Sequence, residues 1–388
     1  MHKIHCLNNI SKVGLDTLPS DYQLTDHIHD AQAILVRSQA MHDILLPSGV
    51  LAVGRAGAGV NNIPLEKYAD AGVVVFNTPG ANANAVKELT IAGMFLAARD
   101  IYGGIKWITE NKHDVEISKT VEKVKSQFGG TEIFGKTIGI IGLGAIGNLI
   151  LKACHALGMK IVVNERNMHL INVNDYPSDV LFTETKEELY PLCDYISLNL
   201  PLIPETKGMI NETVLNQMKD GVVILNFARD ALVNDNDLEK ALNTRKVFKY
   251  VTDFPNHRTV NMEHVIAIPH LGASTEEAED NCAIMAIDQI RNYIERGSIR
   301  NSVNYPNLFI SRNIKMVRLQ VLFKISEEDL NPFVEHIKSI SKNHTHIDFA
   351  YRNRFGYMVL DFDQHIDDHL IENIMENHAV IRVIKIQK

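Results

Sequence analysis

The chain has 388 residues, enough for two to four domains of roughly 100–200 residues each. Hydrophobic residues make up 45% of it and charged residues 22%, which are ordinary values for globular proteins and exclude a disordered chain. The formal net charge is −8, from 39 Lys and Arg against 47 Asp and Glu, and no basic block stands out, which argues against nucleic acid as a partner.

The first 96 residues alternate short apolar runs with helical patterns. Three runs predict buried strands: Ala33–Val36, Leu51–Val53 and Val73–Phe76. Glu88–Ala98 predicts a helix, and strands alternating with helices predict an α/β domain with a largely parallel sheet. The polar stretch Asp114–Lys125 differs, because no strand is predicted between it and Thr137. It fits a linker or oligomer arm, or alternatively a solvated loop or helix.

The alternation of strands and helices returns strongly over residues 137–282. Five runs predict strands: Thr137–Ile141, Lys160–Val163, Tyr195–Leu198, Val222–Asn226 and Val265–Ile268. Helices are predicted at three places: Asn148–Leu157, Asp237–Leu242 and Ala283–Arg296. This pattern is typical of a doubly wound parallel sheet.

The last part of the chain predicts an independent unit after a turn-rich boundary at Tyr305-Pro306-Asn307. Four runs predict strands: Lys315–Phe323, Ile347–Tyr351, Gly356–Phe362 and Val380–Ile386. Helices are predicted at Pro332–Ser341 and Ile366–Asn377. The resulting order, βαββαβ, matches a ferredoxin-like sandwich.

Cysteine and histidine spacing predicts neither disulfides nor a metal site. Four cysteines lie far apart: Cys6, Cys154, Cys193 and Cys282. Buried free thiols in a reducing compartment fit this pattern. The pairs His344/His346 and His365/His369 lack a third ligand, so no metal is predicted. Without the apolar run of a signal peptide or of a membrane span, we expect a cytoplasmic protein with no membrane contact.

The stretch Thr137–Asn148 reads T-I-G-I-I-G-L-G-A-I-G-N. Its G-x-G-x-x-G pattern follows an apolar strand and opens an apolar helix, as a dinucleotide-binding corner requires. Gly142 permits the tight turn, Gly144 lets the backbone approach a pyrophosphate, and Gly147 lets helix and strand pack closely. The free N–H groups and positive dipole end of the helix then favour the phosphates. The cofactor contacts predicted here are Gly142, Gly144, Ala145, Ile146 and Gly147.

Glu165 ends the next predicted strand, near the expected distance of about 20 residues after the glycines. A carboxylate there accepts hydrogen bonds from a ribose diol and repels a 2′-phosphate, so NAD is favoured. Arg166 is adjacent, and an arginine accommodates that phosphate, so NADP stays open as the alternative.

Further segments resemble the D-2-hydroxyacid dehydrogenases, most closely their phosphoglycerate branch, over about residues 30–305. The segments are Val36–Ser38, Gly54–Asn62, Asn77–Asn82, Thr137–Asn148, Leu200-Pro201, Asn226–Arg229, Thr252–Phe254 and Pro269–Thr275. The resemblance implies a flavodoxin-like α/β substrate domain (1–96 and 283–305), into which a Rossmann-type NAD-binding domain (97–282) is inserted. It also implies an ACT-like C-terminal domain (312–388).

Oxidising a 2-hydroxy acid needs a hydride acceptor, a base for the hydroxyl proton and a cationic clamp on the carboxylate. The resemblance implies NAD for the first and His270 for the second, because its pKa range suits proton exchange near neutrality. Arg229 follows a strand at its carboxyl end and fits the clamp. The alternatives are a structural histidine and a surface salt bridge. The family also implies further cofactor contacts: Leu200, Pro201, Ala228, Asp253, His270, Gly272 and Ala273.

The glycine loop after residue 54 offers backbone N–H groups to a carboxylate, and two arginines favour a phosphorylated substrate. The predicted substrate contacts are Arg37, Ser38, Arg55, Gly57, Ala58, Gly59, Val60 and Asn82. The resemblance thus implies NAD-dependent interconversion of 3-phosphoglycerate and 3-phosphohydroxypyruvate, in L-serine biosynthesis. Two alternatives stay open: a glycerate, hydroxypyruvate or lactate-type dehydrogenase, and a non-catalytic NAD(H)-sensing protein on the same scaffold.

The C-terminal part departs from the ACT pattern. Residues Leu322–Glu327 lack the Asn-x-Pro-Gly turn through which such domains usually bind an amino acid. We expect the tail to serve assembly, with an L-serine effector as a further hypothesis. The resemblance to the family also implies an oligomer, either a homodimer that forms through the nucleotide domain or a homotetramer that forms through the tail.

A second departure concerns catalysis. The family places a glutamate shortly after the Asp253 position, where it pairs with the catalytic histidine, but here His257 stands there. Without that charge a protonated His270 is less stabilised, so we predict weaker carbonyl reduction and an activity profile displaced along pH. Comparing pH–rate profiles of the wild type and His257→Glu tests this. An acid-side limb that does not move would contradict a carboxylate role here.

Overall fold

The computed structural model describes all residues from Met1 to Lys388. The strands are β1 His2–Cys6, β2 Tyr22–Leu24, β3 Ala33–Val36, β4 Ala52–Arg55, β5 Val74–Phe76, β6 Thr137–Ile141, β7 Lys160–Asn164, β8 Leu181–Thr183, β9 Tyr195–Leu198, β10 Val222–Asn226, β11 Val247–Thr252, β12 Val265–Ala267, β13 Val317–Lys324, β14 His346–Arg352, β15 Phe355–Phe362 and β16 Val380–Gln387. The α-helices are α1 Lys12–Leu15, α2 Leu65–Asp70, α3 Ala83–Ala98, α4 Ile101–Glu110, α5 Ile117–Val124, α6 Ala145–Ala156, α7 Lys186–Leu189, α8 Glu212–Gln217, α9 Asp235–Asn243, α10 Glu276–Arg296, α11 Leu330–Ile340 and α12 Asp368–Met375.

The chain forms two compact units, residues 1–82 with 276–388, and residues 83–275. The sequence predicted boundaries at 96/97 and 282/283 instead. The first difference arises because Met94 and Ala97 of α3 pack in the same core as Ile138 of β6, so the whole helix belongs to the second unit. The second arises because α10 already begins at Glu276.

The first unit contains a parallel five-stranded sheet in the order β2-β1-β3-β4-β5. This is the flavodoxin-like order 2-1-3-4-5, as predicted. Strands β1 and β2 were not predicted, because β1 carries His2, Lys3 and His5 and β2 buries only Tyr22.

Helix α10 packs against this sheet and α1 at very short range. A Cβ on Gly54 of β4 would lie 2.7 Å from Cδ1 of Ile290, and one on Gly14 of α1 would lie 2.4 Å from Cβ of Ala283. Both positions therefore require glycine. The close packing fixes the first turns of α10 beside the carboxyl ends of the strands.

The four-stranded antiparallel sheet β14-β15-β13-β16 belongs to the same unit. Together with α11 and α12 it has the predicted βαββαβ order. One face of the sheet packs under the two helices, with Phe323 and Phe333 rings 4.5 Å apart. Leu322, Tyr357 and Val359 on the other face are buried in the core around α10. The tail is thus not the independent unit that the sequence predicted.

Two polar contacts attach this sheet to the end of α10. The Tyr357 hydroxyl donates to the carbonyl of Gly297 at 2.7 Å. The fully buried Arg318 donates from Nη1 to the carbonyl of Arg296 at 2.6 Å. It also donates from Nε and Nη2 to the two Asp361 carboxylate oxygens at 2.5 and 2.9 Å. Burial alone would raise the pKa of Asp361, but its bonds to Arg318 and Arg312 outweigh burial and lower it.

The second unit is a parallel seven-stranded sheet in the order β12-β11-β10-β9-β6-β7-β8. It is the doubly wound Rossmann order with one added strand, and the order reverses between β6 and β9. Residues 99–135 contain the helices α4 and α5, with Tyr102 and Ile105 exposed; a role of this stretch as an oligomer arm stays a prediction. None of the helices has the length and apolar character to cross a bilayer. All four cysteines are free, and Cys6 alone is partly exposed rather than buried.

Asp361→Asn should destabilise the fold by about 3 kcal/mol, because it leaves the Arg318 charge buried without a counter-ion. The pKa of Asp361 is lowered, so the stability that the pair contributes is present above the ordinary Asp pKa of about 4 and lost as pH falls through the lowered value. The variant should lack this acid-side loss. Denaturant unfolding at several pH values measures both effects.

The matched control is Asp363→Asn, which removes an exposed ion pair of 2.7 Å with Lys315. It should cost less than about 1 kcal/mol. Equal effects of the two substitutions would show that the buried pair contributes no special stability.

Candidate functional site

The glycine corner of the second unit lies between β6 and α6. Gly142 has φ 92°, and a Cβ there would lie 2.6 Å from the carbonyl oxygen of Asn199. A Cβ on Gly147 would lie 2.1 Å from the carbonyl oxygen of Gly142. Nothing lies within 4 Å of a Cβ on Gly144, and this N-cap residue has no side chain to bind the first N–H groups of Ala145 and Ile146. The corner therefore fits a dinucleotide pyrophosphate.

Two predicted side chains adjoin this corner. The Glu165 carboxylate accepts hydrogen bonds from the backbone N–H of Leu143 at 2.7 Å and of Asn167 at 3.0 Å. Its negative charge is therefore held beside the glycines. Arg166 is exposed. On the other side, Leu200 leads from β9 into Pro201 and packs against Gly142.

The loop after β10 carries Arg229. Asn226 is completely buried, and its Oδ1 accepts from the backbone N–H of Ala228 at 3.2 Å and of Arg229 at 3.3 Å. Its Nδ2 donates to the carbonyl of Arg229 at 2.8 Å. Asn226 therefore shapes the loop that presents the guanidinium. Asn226 belongs to a motif visible in the sequence, but no local pattern indicates this role.

Arg229 and His270 meet at the ring of Phe254. The guanidinium carbon of Arg229 lies 5.5 Å from the ring centroid of Phe254. The centroid of the His270 ring lies 4.4 Å from the same centroid. The structure thus brings the predicted clamp and the predicted base to one aromatic side chain, which sequence reasoning had not singled out.

Asp253 is buried beneath this group, 1% exposed. Its Oδ2 accepts from the backbone N–H of Gly272 at 2.9 Å, whereas its Oδ1 has no hydrogen-bond partner. Burial raises its pKa, although the Gly272 hydrogen bond and the charges of His270 and Arg229 oppose the rise. An orphaned buried oxygen fits a donor from a ligand, such as a carboxamide N–H. Ala273, beside Gly272, is half-buried.

His257, at the position of the family glutamate, is exposed. Only its backbone carbonyl is engaged, accepting from Asn261 Nδ2 at 2.7 Å. The carboxylate that interacts electrostatically with His270 is instead that of Asp253.

The first unit holds the predicted substrate residues. After β3, the backbone N–H groups of Arg37, Ser38 and Gln39 all donate to Asn8 Oδ1, at 3.0, 3.1 and 3.0 Å. The Arg37 guanidinium itself lies 2.6 Å from a carboxylate oxygen of Glu279 on α10. Asn8 and Glu279 were not predicted, because both contacts join residues that are remote in sequence.

Arg55 ends β4 and is held by the loop that follows it. Its Nε donates to Asn62 Oδ1 at 3.2 Å, and Asn62 Nδ2 donates to the carbonyl of Gln39 at 2.8 Å. Gly57 has φ 155°, which side chains rarely adopt, and a Cβ there would lie 2.2 Å from Nη1 of Arg55, so any other residue would also displace the guanidinium. Gly59 and Val60 lie in the same loop, and Asn77 Nδ2 donates to the carbonyl of Ala58 at 2.6 Å.

The two arginines share one neighbour on α10. Burial raises the pKa of the Cys282 thiol, while a hydrogen bond with Thr78 and the charges of Arg55 and Arg37 oppose the rise. Both guanidinium groups therefore lie near the start of α10, at the carboxyl ends of β3 and β4. Ser38 and Asn82 make no side-chain hydrogen bond. No group of three or more His, Cys, Asp or Glu side chains is arranged to hold a metal ion.

The chain is similar to known proteins over most of its length. A D-3-phosphoglycerate dehydrogenase of Methanocaldococcus jannaschii is 31% identical over 320 residues, 79% of this chain and 58% of that protein. The D-3-phosphoglycerate dehydrogenase of Rattus norvegicus is 34% identical over 285 residues, 70% of this chain and 51% of that protein. This chain therefore spans little more than half the length of these relatives.

A solved structure is similar over more of its own length. It is a cofactor (NAD+)-bound 3-phosphoglycerate dehydrogenase of Entamoeba histolytica, 26% identical, with a TM-score of 0.62 over 80% of this chain and 99% of that one. Residues 91–272 match the family model described as D-isomer specific 2-hydroxyacid dehydrogenase, NAD binding domain. Residues 91–272 are therefore an NAD-binding domain of the D-isomer specific 2-hydroxyacid dehydrogenase type.

Proposed function

We propose that this protein is a D-3-phosphoglycerate dehydrogenase, which oxidises 3-phospho-D-glycerate to 3-phosphohydroxypyruvate with NAD+ in L-serine biosynthesis. The observation that carries the proposal is the meeting of Arg229 and His270 at Phe254, 5.5 and 4.4 Å from its ring centroid. The names of the relatives support the choice of substrate.

The chemistry of the reaction divides between the cofactor and this chain. NAD+, held at the glycine corner, would supply the acceptor for the hydride of C2. The neutral His270 ring takes the hydroxyl proton, so that the C2–O bond becomes a carbonyl and the histidine becomes charged. Arg229 pairs with the substrate carboxylate through charge-assisted hydrogen bonds. The Phe254 ring, tilted by 47° against the His270 ring with centroids 4.4 Å apart, restricts that ring on one side.

Asp253 serves this arrangement in two ways. Its orphaned Oδ1 would accept a hydrogen bond from the nicotinamide carboxamide and so help to hold the cofactor. The charge of the His270 ring also opposes the rise in the pKa of Asp253, so the two groups interact electrostatically. With His257 exposed, Asp253 is the partner left to take over part of the role of the missing glutamate.

The distal end of the substrate carries a phosphate, and Arg37 and Arg55 are the cations that receive it. Asn8 fixes the backbone of Arg37, and Asn62 accepts a hydrogen bond from the Arg55 guanidinium. Ser38 and the backbone of residues 57–60 supply neutral donors. Phosphate recognition by two guanidinium groups and several N–H groups is the usual pattern.

The remaining assignments concern the setting of the enzyme. We assign it to the cytoplasm, in keeping with four free thiols. We assign assembly into a homodimer or homotetramer, in keeping with exposed apolar side chains on α4. We assign the tail as an ACT-like domain, in keeping with its βαββαβ element order, with L-serine as its candidate effector.

Purified protein should oxidise NADH with 3-phosphohydroxypyruvate at a kcat/KM well above that with hydroxypyruvate. His270→Gln should lower kcat by about 10²–10⁴-fold, because no other group is positioned to exchange the proton, while NADH affinity stays unchanged. Steady-state kinetics and NADH titration measure both. The control His169→Gln changes an exposed histidine of the same unit and should leave kcat within about twofold. An equal loss in both variants, or preference for hydroxypyruvate, would refute the assignment.

Asp253→Asn should raise the melting temperature of the cofactor-free protein by roughly 2–4 °C and reduce the further rise that NADH produces. The pKa of Asp253 is raised, so its penalty on folding is absent below the ordinary Asp pKa and grows as pH rises through it. The gain should therefore vanish in acid. Thermal unfolding with and without NADH measures it. Glu205→Gln removes an exposed charge of the same unit and should alter neither value; a matching gain there would exclude burial as the cause.

A further inference from the structure

The Arg37 guanidinium is already paired with an anion of this chain. Its Nη1 lies 2.6 Å from Oε1 of Glu279, and the two side chains are 36% and 40% exposed. Glu279 lies in the acidic first turn of α10 with Glu276 and Glu277, where the helix dipole stabilises carboxylates. An anionic substrate must therefore compete with Glu279 for this guanidinium.

The fold fixes the positions of both Arg37 and Glu279. The backbone of Arg37 is fixed by its N–H bond to Asn8. On the side of Glu279, the neighbouring Asp280 accepts a hydrogen bond from the Ser11 hydroxyl, and the next turn of α10 packs on Gly14. The ion pair is thus set by the packing of α10, although a pair this exposed contributes little to folding stability.

The charge of the distal group decides whether the competition succeeds. A neutral hydroxymethyl group gains nothing by replacing a carboxylate on Arg37. A phosphate carries close to two negative charges at neutral pH and has more acceptor oxygens than a carboxylate. It therefore binds the Arg37 guanidinium more strongly than the Glu279 carboxylate does. We propose that Glu279 sets the affinity for the distal group: it is a competing anion that occupies Arg37 until a dianionic phosphate group displaces it. This inference rests on the proposed function.

Glu279→Gln should lower KM for 3-phosphohydroxypyruvate roughly three- to fivefold, the range expected when one partly exposed charge is removed. KM for hydroxypyruvate and the affinity for NADH should stay unchanged. Glu279→Ala should act in the same direction, because it also removes the competing charge. Steady-state kinetics with both oxo acids measures the effect, and thermal unfolding checks that each variant is folded.

The matched control is Glu277→Gln, which makes the same charge change in the same helical turn at an exposed residue with no ion pair. It should leave both KM values unchanged. A drop of equal size in this control would mean that only the overall charge of the turn matters. A KM for the phosphorylated substrate that is unchanged or raised in Glu279→Gln would also overturn the proposal.

Calorimetry with inorganic phosphate gives a second readout that requires no turnover. Phosphate should bind more tightly to Glu279→Gln than to wild type or to Glu277→Gln. If wild type turned over neither oxo acid, the proposed function would fail while this comparison still tested the competition at Arg37. If wild type were active and phosphate bound equally to all three proteins, the competition alone would be refuted.

Discussion

The packing of α10 is the constraint on which the first unit depends. Its side chains share one core with the five-stranded parallel sheet and with the inner face of the C-terminal sheet, where Ile290, Tyr293 and Tyr357 are all buried. Glycine is required at Gly54 and Gly14 because the helix approaches so closely. A helix of 21 residues is about 30 Å long, so its two ends contact different parts of the unit. The first turn contacts Arg37, and the last turn accepts a hydrogen bond from Arg318 of the C-terminal sheet.

The second unit reaches its function by a different constraint, the side-chain-free corner after β6. Because the sheet order reverses between β6 and β9, a crevice opens outside the carboxyl ends of the strands. Arg229 follows β10 and Asp253 follows β11, so both point to that edge. Asp253 illustrates the cost of such a site, because a buried carboxylate with one orphaned oxygen is unfavourable for folding.

Much of this was predictable because the relevant patterns are local. Strands β3, β6, β9 and β10 were predicted with their observed bounds, since each is a continuous apolar run buried on both faces. The glycine corner was predictable because every step of its physics lies within twelve residues, Thr137–Asn148. The candidate site residues followed from motifs at strand ends rather than from any long-range information.

What could not be predicted depends on contacts between distant parts of the chain. Edge strand β2 is too short and polar to show a pattern. Helix α3 belongs to the second unit because its apolar side packs in the same core as β6. The periodicity of its sequence shows which side is apolar but not which sheet that side contacts. Asn8, Asn62 and Glu279 act through hydrogen bonds or an ion pair whose partners are fixed only by the tertiary fold. The sequence predicted an independent tail for the same reason. The alternation along β13 indicates that the sheet has two faces, but it does not show that α10 covers the face opposite α11 and α12.

That covered face has an evolutionary consequence. A domain joined by a linker can be acquired, exchanged or lost by recombination, since its neighbours keep intact surfaces. Here the sheet supplies Leu322, Tyr357 and Val359 to the core of its neighbour, so deleting it would leave an apolar surface on α10 open to solvent. Lineages that carry this arrangement must change both sides of the seam together, and the C-terminal segment should diverge by coordinated substitution rather than by replacement.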